Sequence, residues 1–122
     1  MKHEDRPEIG TKMYFVVEHL YYDKTIRTAP FTEYCVCEGE VASFFKKNYT
    51  EMTLRGKNPD GYMDLHYYRL EQIGKTVFYS AQEAAQLAKE MTEKYERIWG
   101  WFGPPDIPMR RPWAHILEEK EC

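Results

Sequence analysis

The sequence predicts an α+β domain: a small, strongly bent antiparallel β-sheet packed by one long C-terminal helix, with a Pro/Trp-rich tail laid on the body. Three observations predict it. Apolar and polar residues alternate with the period of a strand at Lys12–Val17 and again at Phe31–Cys37. A serine-capped run over residues 80–98 carries apolar residues three or four apart, the period of a helix. After it, residues 99–113 (WGWFGPPDIPMRRPW) concentrate tryptophan and proline; the prolines stop a helix and stiffen the chain beyond it.

Taken in order, residues 1–9 are polar and expected to be flexible. In the first strand Met13, Phe15 and Val17 share one face, and Tyr14, Val16 and Glu18 the other. Asp23-Lys24 reads as a turn, Thr25 to Thr28 as resumed extended chain, and Pro30 as punctuation. The second strand sets Phe31, Glu33, Cys35 and Cys37 against Thr32, Tyr34 and Val36, and Glu38-Gly39-Glu40 reads as a turn that ends it. Val41, Phe44 and Phe45 have helical spacing, whereas Tyr49, Thr50, Met52, Thr53 and Leu54 favour a strand; the extended reading is adopted for the whole segment. Gly56 to Gly61 is dense in turn formers and predicts an exposed loop. Tyr62 to Leu70 and Lys75 to Tyr79 complete the strands, so residues 10–79 are mainly β.

Ser80 and Glu83 form the sequence signature of a capping box. Behind it, Ala84, Ala88, Met91, Tyr95 and Ile98 build one apolar stripe on a helix of about five turns over residues 81–98. Lys89, Glu93, Lys94 and Glu96 face water, and Gly100, Gly103 and Pro104-Pro105 end the element. In the tail, Trp101, Phe102, Ile107 and Trp113 are expected to fold back on the body. A short helix, Pro112 to Lys120, is expected to dock Ile116 and Leu117 inward. The whole chain, 1–122, reads as a single domain.

Composition excludes several classes. With 43% hydrophobic and 30% charged residues the chain is not globally disordered. It has no apolar run of about 18 residues, so no membrane span is expected. The opening MKHEDRPEIG lacks an apolar signal core, and three cysteines are an odd number, so a reduced, cytoplasmic setting is expected. A net charge of −3 argues against whole-surface binding to nucleic acid.

No catalytic motif stands out. The glycines form no phosphate loop, no Gly-x-Ser-x-Gly elbow is present, and the four histidines make no helix-spaced pair. Cys35 and Cys37 share a strand face and would ligate zinc only if His19 and His66 converged on them; two small buried apolar groups is the simpler reading, and no metal or cofactor is expected. Asp64 and His66 also share a face and form a candidate acid–base pair, with the solvated face of a strand as the simpler reading. A non-enzyme with no catalytic residues is therefore expected. Trp101, Arg110, Arg111 and Trp113 have the profile of interface hot spots, and Glu38 and Glu40 offer an acidic patch; these six are the expected partner-binding residues. Lys46-Lys47, Arg55, Lys57 and Arg110-Arg111, beside Tyr49 or Trp113, support an alternative as a nucleic-acid or nucleotide-binding accessory module.

Residues 73–91, IGKTVFYSAQEAAQLAKEM, resemble a recurring ending of small proteins from phages and mobile elements of Gram-positive bacteria: a short strand, a Ser or Thr cap and a Glu-Ala-Ala-type helix. The likeness extends loosely over residues 9–91. It implies a bacterial host and an interaction protein without an active-site signature. Its most concrete form is an anti-defence inhibitor that binds a host protein, with CRISPR effectors among the candidates. The oligomeric state is not legible in the sequence.

Overall fold

A computed structural model describes residues 6–22, 30–99 and 109–120. Strands β1 (Lys12–Tyr21), β2 (Phe31–Phe45), β3 (Glu51–Lys57) and β4 (Met63–Arg69) run as an antiparallel meander, and the short β5 (Val77–Phe78) returns to pair with β1. The sheet order is β4-β3-β2-β1-β5. Helix α1 (Ala81–Trp99) packs on β1 and β2, and α2 (Ala114–Lys120) packs on α1. The expected α+β architecture is thus the one observed. No helix among the described residues is long and apolar enough to cross a membrane. The extended chain expected at Thr25–Thr28, and the rings of Trp101 and Phe102 with the Ile107 side chain, lie outside the described residues.

The register of β1 on β2 assigns the two sheet faces. Phe15 pairs with Cys37, Val17 with Cys35 and His19 with Glu33, so these six share the inner face. Val16 pairs with Val36 on the outer face, beneath α1. The sheet curls tightly around its inner face. Flat strands spaced about 4.8 Å apart would hold β1 and β4 roughly 14 Å from one another. Yet the Phe15 ring centroid lies 4.5 Å from that of His66 and 5.6 Å from that of Tyr68, both on β4. The enclosed core contains Met13, Phe15, Cys37, Val41, Met52, Leu54, Leu70 and Val77.

Two expectations at the bend are corrected. Glu38-Gly39-Glu40 is no turn: β2 runs through it, because β1 supplies pairing partners as far as Glu40. Gly39 serves close packing instead, since a Cβ there would lie 3.1 Å from the Phe15 ring and 3.3 Å from the Arg55 carbonyl. Gly56 and Lys57 are likewise strand rather than loop, with Gly56 directly opposite Gly39. A Cβ on Gly56 would lie 2.4 Å from the Glu38 carbonyl oxygen. Two glycines facing one another let β2 and β3 approach where the sheet bends.

The helical spacing of Val41 and Phe44 has a different origin. The β2–β3 register shifts between Val41 and Ser43, a β-bulge that adds one residue. With the extra residue, Val41 and Phe44 both reach the inner core while the chain stays extended, and Phe45 turns outward to meet Tyr67 edge-on. At the N-terminus, expected to be flexible, Pro7 is buried and the Arg6 guanidinium lies 5.0 Å from the Phe44 ring centroid.

In α1 the Ser80 hydroxyl accepts the Glu83 N–H at 3.3 Å, the expected cap. Ala84, Ala85, Ala88 and Thr92 are buried; Met91 and Tyr95 are half-buried, and Ile98 at the end of the predicted stripe is exposed. Small residues on this face let the helix lie close to the sheet. Trp113 is only 5% exposed, and its indole N–H donates to Thr92 Oγ1 at 3.0 Å. Thr92 in turn donates to the Ala88 carbonyl at 2.8 Å. Met109 is buried beside them, and Ile116 and Leu117 dock as expected.

Two substitutions test this packing. Gly56→Ala forces a methyl group onto backbone and should cost about 1–3 kcal/mol, the scale of overpacking; urea unfolding by circular dichroism measures it. Thr92→Val keeps the volume but leaves the Trp113 N–H buried without its acceptor. It should cost roughly 1–3 kcal/mol in the same assay, whereas Thr92→Ser should cost less.

Candidate functional site

A buried carboxylate organises the polar end of the inner face. Glu33 sits between Phe31 and Cys35 on the inward side of β2 and is 3% exposed. A charge taken out of water needs partners, and Glu33 has three. His19, directly across on β1, places Nδ1 2.8 Å from Oε1. The Cys35 thiol approaches the same oxygen at 3.7 Å. Arg110 brings Nε to 3.0 Å from Oε2 as an ion pair, off the alignment of a hydrogen bond, and its guanidinium lies 4.2 Å from the Tyr21 ring centroid.

The β3–β4 turn completes the cluster. Asn58 Oδ1 accepts the backbone N–H groups of Asp60 and Tyr62 at 3.0 and 3.1 Å, which ties the loop into an Asx-type turn. Gly61 adopts φ +90, where only glycine is at ease. The turn carries Asp60 over β1, where its Oδ1 lies 3.0 Å from His19 Nε2. Both ring nitrogens of His19 therefore face carboxylate oxygens. A neutral imidazole would aim a lone pair at one of them; the doubly protonated ring donates to both. The Glu33 contact raises the His19 pKa, burial opposes the shift, and Asp60 adds to it.

Beside the cluster is a cleft of about 650 Å³. It forms because β3 pairs with β2 only from Gly39 onward, so residues 31–38 of β2 have β1 as their sole strand neighbour among the described residues. Glu33, Cys35, Glu38, Glu40, Arg55 and Met63 are among its lining residues.

The expected site residues separate accordingly. Glu38 and Glu40 are exposed at the cleft, and Glu38 accepts a hydrogen bond from the Tyr14 hydroxyl at 3.1 Å. Arg110 and Arg111 both engage carboxylates within the chain: Arg110, which is exposed, pairs with Glu33, and the half-buried Arg111 pairs with Glu96 at 2.8 Å. Trp113 is closed to a partner by its burial, and Trp101 lies outside the described residues. Asp64 accepts its neighbour Leu65's N–H at 2.8 Å. His66 is not on a solvated face: its ring packs on Phe15, and Nε2 is buried without a hydrogen-bond partner. The two form no acid–base pair. Cys35 and Cys37 do share the inner face, where burial pushes their thiols up to about 12 and about 11. His19 reaches Cys35, but Cys37 lies outside that group and His66 packs on Phe15, so the four expected ligands do not converge. Nothing local in the sequence pairs Glu33 with Asp60, which lie 27 residues apart. The signal for Glu33 was a glutamate on the apolar side of an alternating strand.

A second feature lies on the outer face. Met63, Leu65 and Tyr67 alternate along β4 and are all exposed, and Tyr62 beside them is 73% exposed. Among the described residues β4 is an edge strand with β3 as its one neighbour. No protein-family model matches the chain, and neither a curated protein nor a solved structure matches it.

The raised pKa of His19 makes a signed prediction. Its stabilisation is complete below the unfolded value of about 6.5 and is lost as pH rises through the higher folded value. Urea unfolding in metal-free buffer should show wild type losing stability relative to His19→Gln as pH is raised from about 6.5. Parallel pH profiles for the two proteins would contradict the assignment.

Proposed function

We propose that this chain is a non-catalytic interaction protein that binds another protein along β4. The observation that carries the reading is the row Met63, Leu65 and Tyr67, three apolar side chains exposed on one face of a seven-residue edge strand. An edge strand presents unpaired N–H and C=O groups, and an apolar row beside them adds side-chain affinity to backbone pairing. Soluble chains normally blunt such an edge with charge or proline. Here charge stands only at Asp64 and at Arg69, the last residue of the strand, while the outward positions between Met63 and Tyr67 carry methionine, leucine and tyrosine, the kinds of groups that gain most from being covered.

The more specific role, an anti-defence inhibitor of a mobile element that binds a host protein such as a CRISPR effector, rests on the resemblance of residues 73–91. The acidic Glu38 and Glu40 support it by offering charge complementary to a basic nucleic-acid channel. The nucleic-acid alternative draws less support, because Arg110 and Arg111 both spend their charge on carboxylates of this chain.

The test is a Leu65→Glu/Tyr67→Glu double variant. Both positions are exposed, so the cost should be about 0.5 kcal/mol at Leu65 and about 0.5–1.5 kcal/mol at Tyr67, which gives up its edge-on contact with Phe45, and the variant should stay folded. Expressed in cells carrying the targeted defence system, wild type should restore plaque formation and the double variant should not, while Glu38→Gln/Glu40→Gln should retain part of the effect. Equal activity of the double variant would overturn the β4 surface. DNA binding that weakens steeply with salt would favour the alternative.

A further inference from the structure

We propose that His19, Glu33 and Cys35 form a binding site for a divalent ion of the zinc class, held in shape by Asp60 and Arg110. The three donor atoms, an imidazole nitrogen, a carboxylate oxygen and a thiol sulfur, lie within 4.8 Å of one another. They come from two paired strands: His19 is opposite Glu33 in the β1–β2 register, and Cys35 is two residues along the same face. A tetrahedral ion with bonds of about 2.0–2.3 Å keeps its donors about 3.3–3.6 Å apart. Here His19 Nδ1 is 2.8 Å and Cys35 Sγ is 3.7 Å from Glu33 Oε1, and no two donors are more than 4.8 Å apart, so side-chain adjustments of about an ångström reach that spacing. Mixed sulfur, nitrogen and oxygen donors suit zinc and its borderline neighbours, and exclude magnesium and calcium, which take oxygen.

The surroundings have the organisation of an outer shell. A metal-bound histidine nearly always donates its other ring N–H to a carboxylate, a backbone carbonyl or water, which fixes its tautomer and orientation. His19 Nε2 lies 3.0 Å from Asp60, leaving Nδ1 turned toward Glu33 and Cys35. Arg110 sits on Glu33 Oε2, which leaves Oε1, the oxygen nearest both other donors, for the ion. Burial fixes the carboxylate in place: the Glu33 side chain is 4% exposed, and with Arg110 holding Oε2 the group presents Oε1 to the two other donors. On binding, the ion replaces the proton on His19 Nδ1 and the proton on the Cys35 thiol, both released to solvent. The two carboxylates and the thiolate then balance a divalent ion plus Arg110, so the site becomes neutral. Three protein donors leave a fourth position for water on a site that borders the cleft.

The experiment uses the full chain, reduced and stripped with EDTA, titrated with zinc against a chromophoric chelator and separately with cobalt. One ion per chain is expected. The cobalt form should show a near-ultraviolet thiolate charge-transfer band that vanishes in Cys35→Ser and persists in Cys37→Ser and Cys122→Ser. His19→Ala should abolish stoichiometric uptake. Asp60→Asn, which removes the exposed charge beside His19 Nε2, should weaken it by roughly 10–100-fold while far-ultraviolet circular dichroism stays unchanged. Absence of stoichiometric uptake would show the cluster to be a metal-free ion-pair network and overturn the site. Uptake that survives both Cys35→Ser and His19→Ala, or that depends on Cys122 alone, would overturn it equally. None of these readouts depends on the β4 surface, so the two proposals fail separately.

Discussion

The ten-residue pairing of β1 with β2 is the constraint on which the rest of the structure depends. Side chains in a strand alternate with a period of two, so a slip of one residue would exchange the two faces. In the observed register Phe15 and Cys37 go inward to the curled core, Val16 and Val36 go outward to α1, and His19 meets Glu33. A slip of β1 would turn Phe15 toward α1 and Val16 into the curled core, mismatching both layers, and would leave the Glu33 carboxylate without the histidine opposite it. Core, helix-docking face and polar cluster are three consequences of one alignment.

The second constraint is the carboxylate itself. Burying Glu33 is costly unless charge and hydrogen bonds replace the water it gives up. The compensation comes from residues far apart in the chain: His19 from β1, Arg110 from the segment before α2, and Asp60 acting through His19 from the β3–β4 turn. The cluster therefore ties together the first hairpin, the second hairpin and the C-terminal segment. The Thr92–Trp113 hydrogen bond fastens that C-terminal segment to α1 from its other side. Arg110 and Trp113 thus act as two anchors, and the polar cluster and the helix-side core are mechanically joined. The same convergence puts three metal-type donors at one point, so the stabilising network and the proposed ion site are alternative occupations of a single arrangement.

Much of the architecture was legible because it rests on local rules. The alternation at Met13–Val17 and Phe31–Cys37, the Ser80 cap and the three-and-four spacing of Ala84, Ala88, Met91 and Tyr95 each report short-range geometry. The misreadings fall where tertiary packing overrides local preference. Gly39 looks like a turn residue but is a strand glycine that makes room for the Phe15 ring, and Gly56 looks like the start of a loop but lies against the Glu38 carbonyl. Val41 and Phe44 look helical because a bulge shifts the strand period by one residue. Trp113 has the composition of an interface anchor, yet its N–H finds a buried acceptor within the chain.

By itself, the sequence determined the α+β class, the capped helix and the division of the first two strands into two faces, since all of these come from periodicity and from residues within a turn of one another. Only the tertiary structure decided which polar groups meet. The β1–β2 register sets His19 opposite Glu33, while the curl of the sheet and the return of the C-terminal segment bring Asp60 and Arg110 to them, and the sheet bends where a bulge and two facing glycines fall. Likewise, the apolar row on β4 was written in the alternation of Met63, Leu65 and Tyr67, but its exposure was not. Exposure depends on which face the helix covers, and α1 lies over β1 and β2.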